Sequence, residues 1–216
     1  MKKIIILLLI ISSFSCTPKE AGVAEVVVPT ITSLPPKTNP ASTLMTDSVI
    51  KPYNLDHYLF LKDCIYIDLR SPREFYREGH VAGFINVPFY GYVADITMPT
   101  PSASFFKMMD GSGSYLGDVG SFVPRYEYAE QWLLDTFPRN KNIVVLSTAG
   151  VEGAYFLNLL VQYGYNPERL YNAGSFSNGM GEDIAYRLYE GAKYLVPPFE
   201  LYDTVIEYSP TLDKEM

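Results

Sequence analysis

At 216 residues, the chain has room for one ordinary domain with extensions at its ends. Its 48% apolar residues can fill a core, while a formal charge of −7 and the lack of a basic cluster argue against a nucleic-acid surface. Two histidines and two cysteines fall short of the four ligands a zinc site draws together, and no cofactor motif stands out.

Residues 1–16 read as a leader, not as part of the fold. Lys2 and Lys3 precede the apolar run 4–11, which is far too short to span a membrane. Ser12, Ser13 and Ser15, with Phe14 between them, then lead into Cys16. The arrangement resembles a bacterial lipoprotein signal, which implies acylation of Cys16 and a membrane contact through that anchor. It also implies export to the cell membrane or outer membrane, facing the periplasm or the exterior. Position −3 is Ser13 where leucine is usual, and an ordinary secretory signal with an incidental cysteine is the alternative. With Cys16 acylated, Cys64 is the sole thiol of the mature chain. Its place in the apolar run 64–69 predicts inert core filling.

Residues 17–45, rich in Pro, Thr, Ser and Ala without clear periodicity, read as a disordered tether. The domain is expected over 46–216. Asn54 is placed to cap a short helix running to Leu61, and 65–69 is a β-rich run suited to a buried parallel strand. The strongest local signal follows: Ser71 at N-cap, Pro72 at N1 and Glu74 at N3 predict a capping box opening a helix that Gly79 ends. A second short strand is expected at 85–87, closed by Pro88.

The stretch 91–125, rich in Gly, Pro, Ser and Met, reads as a surface insertion with room for a hairpin. Gly111, Gly113 and Gly117 miss the G-x-G-x-x-G spacing of a nucleotide loop. Beyond it come an amphipathic helix over 126–137 and a central strand at 143–146. A helix over 153–163 then presents Phe156, Leu159, Leu160 and Tyr163 on one face, and a strand follows at 169–171. Residues 183–194 have the composition of one more helix, and the tail beyond Pro197 that of an edge-wrapping extension. Strands alternating with helices predict an α/β single domain, its central sheet mostly parallel with helices on both faces.

Two stretches carry a family resemblance over roughly 48–180. The first is Asp68-Leu69-Arg70, then Glu74-Phe75, then the unbroken run from Gly79 and His80 to Val87 and Pro88 (GHVAGFINVP). The second is VVLS at 144–147, Gly150, Ala154, LLVQYGY at 159–165 and LYNAGS at 170–175. Together they resemble a rhodanese-like domain, in a branch of exported bacterial proteins with a long insertion. In that family the strand matching 143–146 ends on a nucleophilic cysteine. A tight loop and helix N-terminus then form a cup of amide N–H groups that stabilises a thiolate for sulfur transfer.

Here the matching residue is Ser147. A hydroxyl ionises well above a thiol and forms no sulfur–sulfur bond, so the loop Ser147, Thr148, Ala149, Gly150, Val151 and Glu152 reads as a degenerate active site. Family loops often carry Arg or Lys where Thr148 and Glu152 stand, and a Glu152 carboxylate repels the anions such a cup holds. It serves equally well as a first-turn stabiliser of the following helix. A serine hydrolase would need His57 or His80 as base, and no G-x-S-x-G elbow occurs.

The expectation is a non-catalytic binding or scaffold module of the cell envelope, with an envelope protein as its potential partner. The pocket candidates are Asp68, Arg70, Ser147 and Glu152, although Asp68 and Arg70 read first as structural. The alternative is an active sulfurtransferase using another thiol such as Cys64. Tyr90, Tyr92, Tyr115, Tyr126 and Tyr128 flank the insertion and offer a protein or glycan contact.

Overall fold

The computed structural model describes residues 31–95, 103–109, 119–179 and 184–198. Cys16, Tyr115, the glycines at 111, 113 and 117, and the tail from residue 199 lie outside them.

In chain order the elements are β1 (Cys64–Asp68), α1 (Pro72–Arg77), β2 (His80–Val81), β3 (Ile85–Asn86), β4 (Ala94–Asp95), β5 (Phe106–Met108) and β6 (Phe122–Pro124). They continue with α2 (Ala129–Thr136), β7 (Asn142–Ser147), α3 (Val151–Gln162), β8 (Leu170–Ser175) and β9 (Leu195–Val196). The central sheet is wholly parallel in the order β3-β1-β7-β8. A parallel sheet is covered on both faces, which is why β1 and β7 carry unbroken apolar runs. Ile67, Ile143 and Val145 face one way into a core with Leu133, Phe137, Phe156, Leu159 and Leu160 of the α2–α3 side. Tyr66, Val144, Leu146 and Tyr171 face the other way, against Ile50, Leu55, Leu59, Phe176 and Tyr186.

The fold is therefore α/β, with α2 and α3 on one face and the short 3-10 helices Leu55–Tyr58 and Tyr186–Leu188 on the other. Both expected α-helices on that second face are reduced for local reasons. Asn54 makes no side-chain cap. Its carboxamide instead accepts from Lys51 N and donates to Val49 O, and the chain then leaves through Phe60 at φ +61°. The second turn hangs on one anchor, Tyr186, whose ring is buried and whose hydroxyl donates to Asp56 Oδ1 at 2.5 Å.

The packed chain begins earlier than residue 46. Met45 is buried, Leu34 packs on the second core and Leu44 on the first. Tyr171 Oη donates to Pro35 O, and Lys37 Nζ reaches Ser42 O and Pro167 O. Residues 31–45 are thus a strap on the domain, and the tether expectation is corrected for them. Single apolar anchors and carbonyl acceptors hold the strap, and neither leaves a periodic trace.

The insertion forms its own small sheet in the order β4-β5-β6, with β5 and β6 antiparallel. Among the described residues no helix is long and apolar enough to cross a membrane.

Candidate functional site

The loop 147–152 lies where β7 ends and α3 begins. Ser147 is wholly buried, and its Oγ accepts a 2.8 Å hydrogen bond from Gly150 N. The hydroxyl thereby takes an amide that an anion in the cup would otherwise use. The loop's carbonyls are also tied to neighbouring segments by hydrogen bonds. Ser147 O accepts from Phe176 N, Thr148 O accepts from Ser177 N and Asn178 N, and Gly150 O accepts from Asn172 Nδ2. Gly150 itself adopts φ +85°, and a Cβ there would stand 2.2 Å from Met45 Sδ, so the N-terminal strap presses directly on the loop.

Thr148 and Glu152 both turn to structural partners. Thr148 Oγ1 donates to Glu74 Oε1 at 2.9 Å. Glu74 Oε2 meanwhile accepts from Ser71 N and Ser71 Oγ, and Ser71 Oγ accepts from Glu74 N, which completes the capping box of α1. Burial pushes the Glu74 carboxyl up, but the hydrogen bonds from Ser71 and Thr148 outweigh it and hold the group below its ordinary value. Glu152 sits in the first turn of α3, where the helix dipole favours a carboxylate. Burial first and this carboxylate second push the Tyr90 phenol far up. Ala149 and Val151 complete the loop backbone.

Asp68 and Arg70 form a fully buried ion pair. Arg70 Nε and Nη2 donate to both Asp68 oxygens, at 2.7 Å for the shortest bond, and Arg70 N donates to Asp68 Oδ1. Nη2 also reaches Gly79 O, Glu78 lies 3.8 Å from Nη1, and the guanidinium stacks 3.6 Å above the Phe176 ring. Burial is the largest influence on Asp68 and pushes its carboxyl up, against the pull of Arg70.

Three of the four expected pocket residues, Asp68, Arg70 and Ser147, therefore have no surface open to a ligand. This corrects the pocket drawn from sequence. Gly150 N is taken by the Ser147 hydroxyl, and the Arg70 guanidinium by Asp68 and Gly79 O.

The remaining titratable candidates are separated from the loop. His57 is exposed. His80 stacks on Phe75 at 4.0 Å, and burial lowers its basicity. Among the described residues neither histidine hydrogen-bonds to Ser147, so no serine–base pair forms. Cys64 opens β1 and pairs with Asn142, five residues before Ser147 along the parallel strands. At roughly 3.3 Å per residue, that places the thiol about 16 Å from the loop. Burial raises its pKa, which disfavours the reactive thiolate. Among the described residues no cluster of His, Cys, Asp or Glu could hold a metal ion.

Among the described residues, an open groove includes Tyr90, the neighbour of Glu152. The groove, of about 480 Å³, is lined by Asn86, Pro88, Tyr90 and Tyr92 together with Trp132 and Thr136 of α2. Its aromatic wall is preset. Trp132 stacks flat on Phe105 at 4.2 Å and 2°, and Tyr92 stands edge-on to both rings, at 86° and 88°. The tyrosine-rich flank of the insertion is legible in the sequence; Trp132 is not picked out there. Its i−4 and i+4 neighbours, Tyr128 and Thr136, do give it a face of its own on α2.

No family model, curated protein or solved structure matches this chain.

Proposed function

We propose that the protein is a non-catalytic binding module of the cell envelope: a rhodanese-like domain held to a membrane by a lipid on Cys16. The observation that carries the reading is the buried Ser147 hydroxyl bonded to Gly150 N at the end of β7. A sulfur carrier must stand at the mouth of an open cup and accept a negative charge there. Ser147 is enclosed, it lacks sulfur, and the loop around it is braced by Thr148, Asn172 and Met45. Cys64 makes a poor substitute, since it lies at the opposite end of the strands with a raised pKa. The groove along Tyr92 and Trp132 is the surface this module offers to a partner.

Thiosulfate-to-cyanide sulfur transfer tests the reading. The purified protein is expected to be silent, and Ser147→Cys is expected to be silent as well, because the enclosed position gives thiosulfate no approach. Turnover by the natural sequence would overturn the proposal and send the search to Cys64. The anchor has its own test. Cells fed labelled palmitate are expected to label the protein and keep it with the membrane fraction, whereas Cys16→Ala loses both the label and the membrane association. An unlabelled natural protein would make the leader an ordinary secretory one.

A further inference from the structure

We propose that the groove takes a proline-rich segment of a partner protein in the extended left-handed polyproline II conformation, with basic residues beside the prolines. The inference rests on the binding-module reading and names its ligand class.

Proline rings are stiff and apolar, and a segment already extended loses little conformational freedom on docking. Aromatic-lined grooves exploit this, with side-chain rings as walls for the prolines. Here the walls are rigid before any ligand arrives, since Phe105 backs Trp132 and Tyr92 stands perpendicular to both. Tyr90 and Tyr92 leave nearly half of their surface open, at 48% and 44%. A polyproline helix has no internal hydrogen bonds, so its carbonyls need donors from the groove. The lining includes Tyr92, Trp132 and Thr136, whose side chains carry such donors.

Two observations select this ligand over a carbohydrate. A glycan offers hydroxyls on every side and calls for amides and carboxylates in the lining. The groove holds no charged side chain, and the one amide, Asn86, has its NH₂ committed to Asp68 O and Arg70 O. On helix α2, which forms the tryptophan rim, the exposed Asp135 adjoins the lining residue Thr136 and no basic residue occurs, within a chain of net charge −7. That rim complements lysine or arginine next to the prolines.

The chain has a single tryptophan, so Trp132 fluorescence reports on the groove directly. The full-length protein in detergent would be titrated with a decapeptide of six prolines flanked by lysines. The same peptide flanked by glutamates and an N-acetylglucosamine oligomer would be run beside it. A saturable fluorescence change with the lysine-flanked peptide is expected, weaker by about tenfold or more both for the glutamate-flanked peptide and for Tyr92→Ala. Calorimetry with Trp132→Phe should show a similar weakening, with unchanged thermal melts certifying that both variants fold. A flat titration, or equal affinity for the two peptides, overturns the inference. Saturation by the oligosaccharide alone overturns the peptide class. A protein silent in sulfur transfer and indifferent to the peptide loses this inference while the binding-module reading stands.

Discussion

Arg70→Met is expected to destabilise the domain by about 3–5 kcal/mol, read as a drop in the midpoint of chemical unfolding. The substitution keeps most of the side-chain volume but leaves the Asp68 carboxylate at 0% exposure without its bidentate partner. It also removes the donor to Gly79 O and the charge above Phe176. The pH dependence identifies the cause. Burial already pushes Asp68 up, and losing the guanidinium removes the main opposing pull, so its folded pKa rises further. An acid whose folded pKa lies above its unfolded value binds more protons when folded, and stability then falls as pH rises through the folded pKa. The penalty of Arg70→Met should therefore be full at alkaline pH and shrink as the solution is acidified. The double variant Asp68→Leu/Arg70→Met should recover much of the loss, because replacing both members of a buried pair leaves no stranded charge. A pH-independent penalty would mean that lost packing, not the carboxylate, dominates.

The buried pair also shows which parts of this molecule can be read from sequence. Local signals transfer well. Ser71, Pro72 and Glu74 lie within four residues, and both reciprocal bonds of the capping box form over Pro72–Arg77. The parallel sheet is legible because runs buried on both faces do not alternate, as at 65–69 and 143–146. The closure of Ser147 over Gly150 had a signal too: a serine three residues before a glycine can bend its hydroxyl onto the backbone as a local turn. What escapes is long-range. Nothing in the composition of 31–45 announces that Pro35 O will accept from Tyr171, 136 residues away. The Phe105–Trp132 stack joins the insertion to α2 across a segment whose own pattern is irregular. Tyr186 illustrates the opposite error. One deeply buried ring inside a helix-like composition supports only a single 3-10 turn, since Leu188 beside it is exposed.

Gly150→Ala is the second substitution with a large expected effect, about 2–4 kcal/mol. Two causes add. The backbone at φ +85° and ψ −13° is left-handed, which costs a residue with a Cβ roughly 1–2 kcal/mol. The new Cβ would also stand 2.2 Å from Met45 Sδ and 3.4 Å from the Gly174 carbonyl carbon, so the strap must shift outward. A double-mutant cycle separates the two. Met45→Ala alone should cost about 2–5 kcal/mol through the cavity it leaves under the strap. In the Gly150→Ala background the same change should cost less by about 1 kcal/mol or more, because it removes the collision while leaving the backbone strain. Additive effects would show that Met45 does not press on Gly150. A favourable coupling would instead establish the strap as the clamp on the loop 147–152. The closed site is then held jointly by three pieces far apart in sequence: the Ser147 hydroxyl, the left-handed Gly150 and the Met45 thioether.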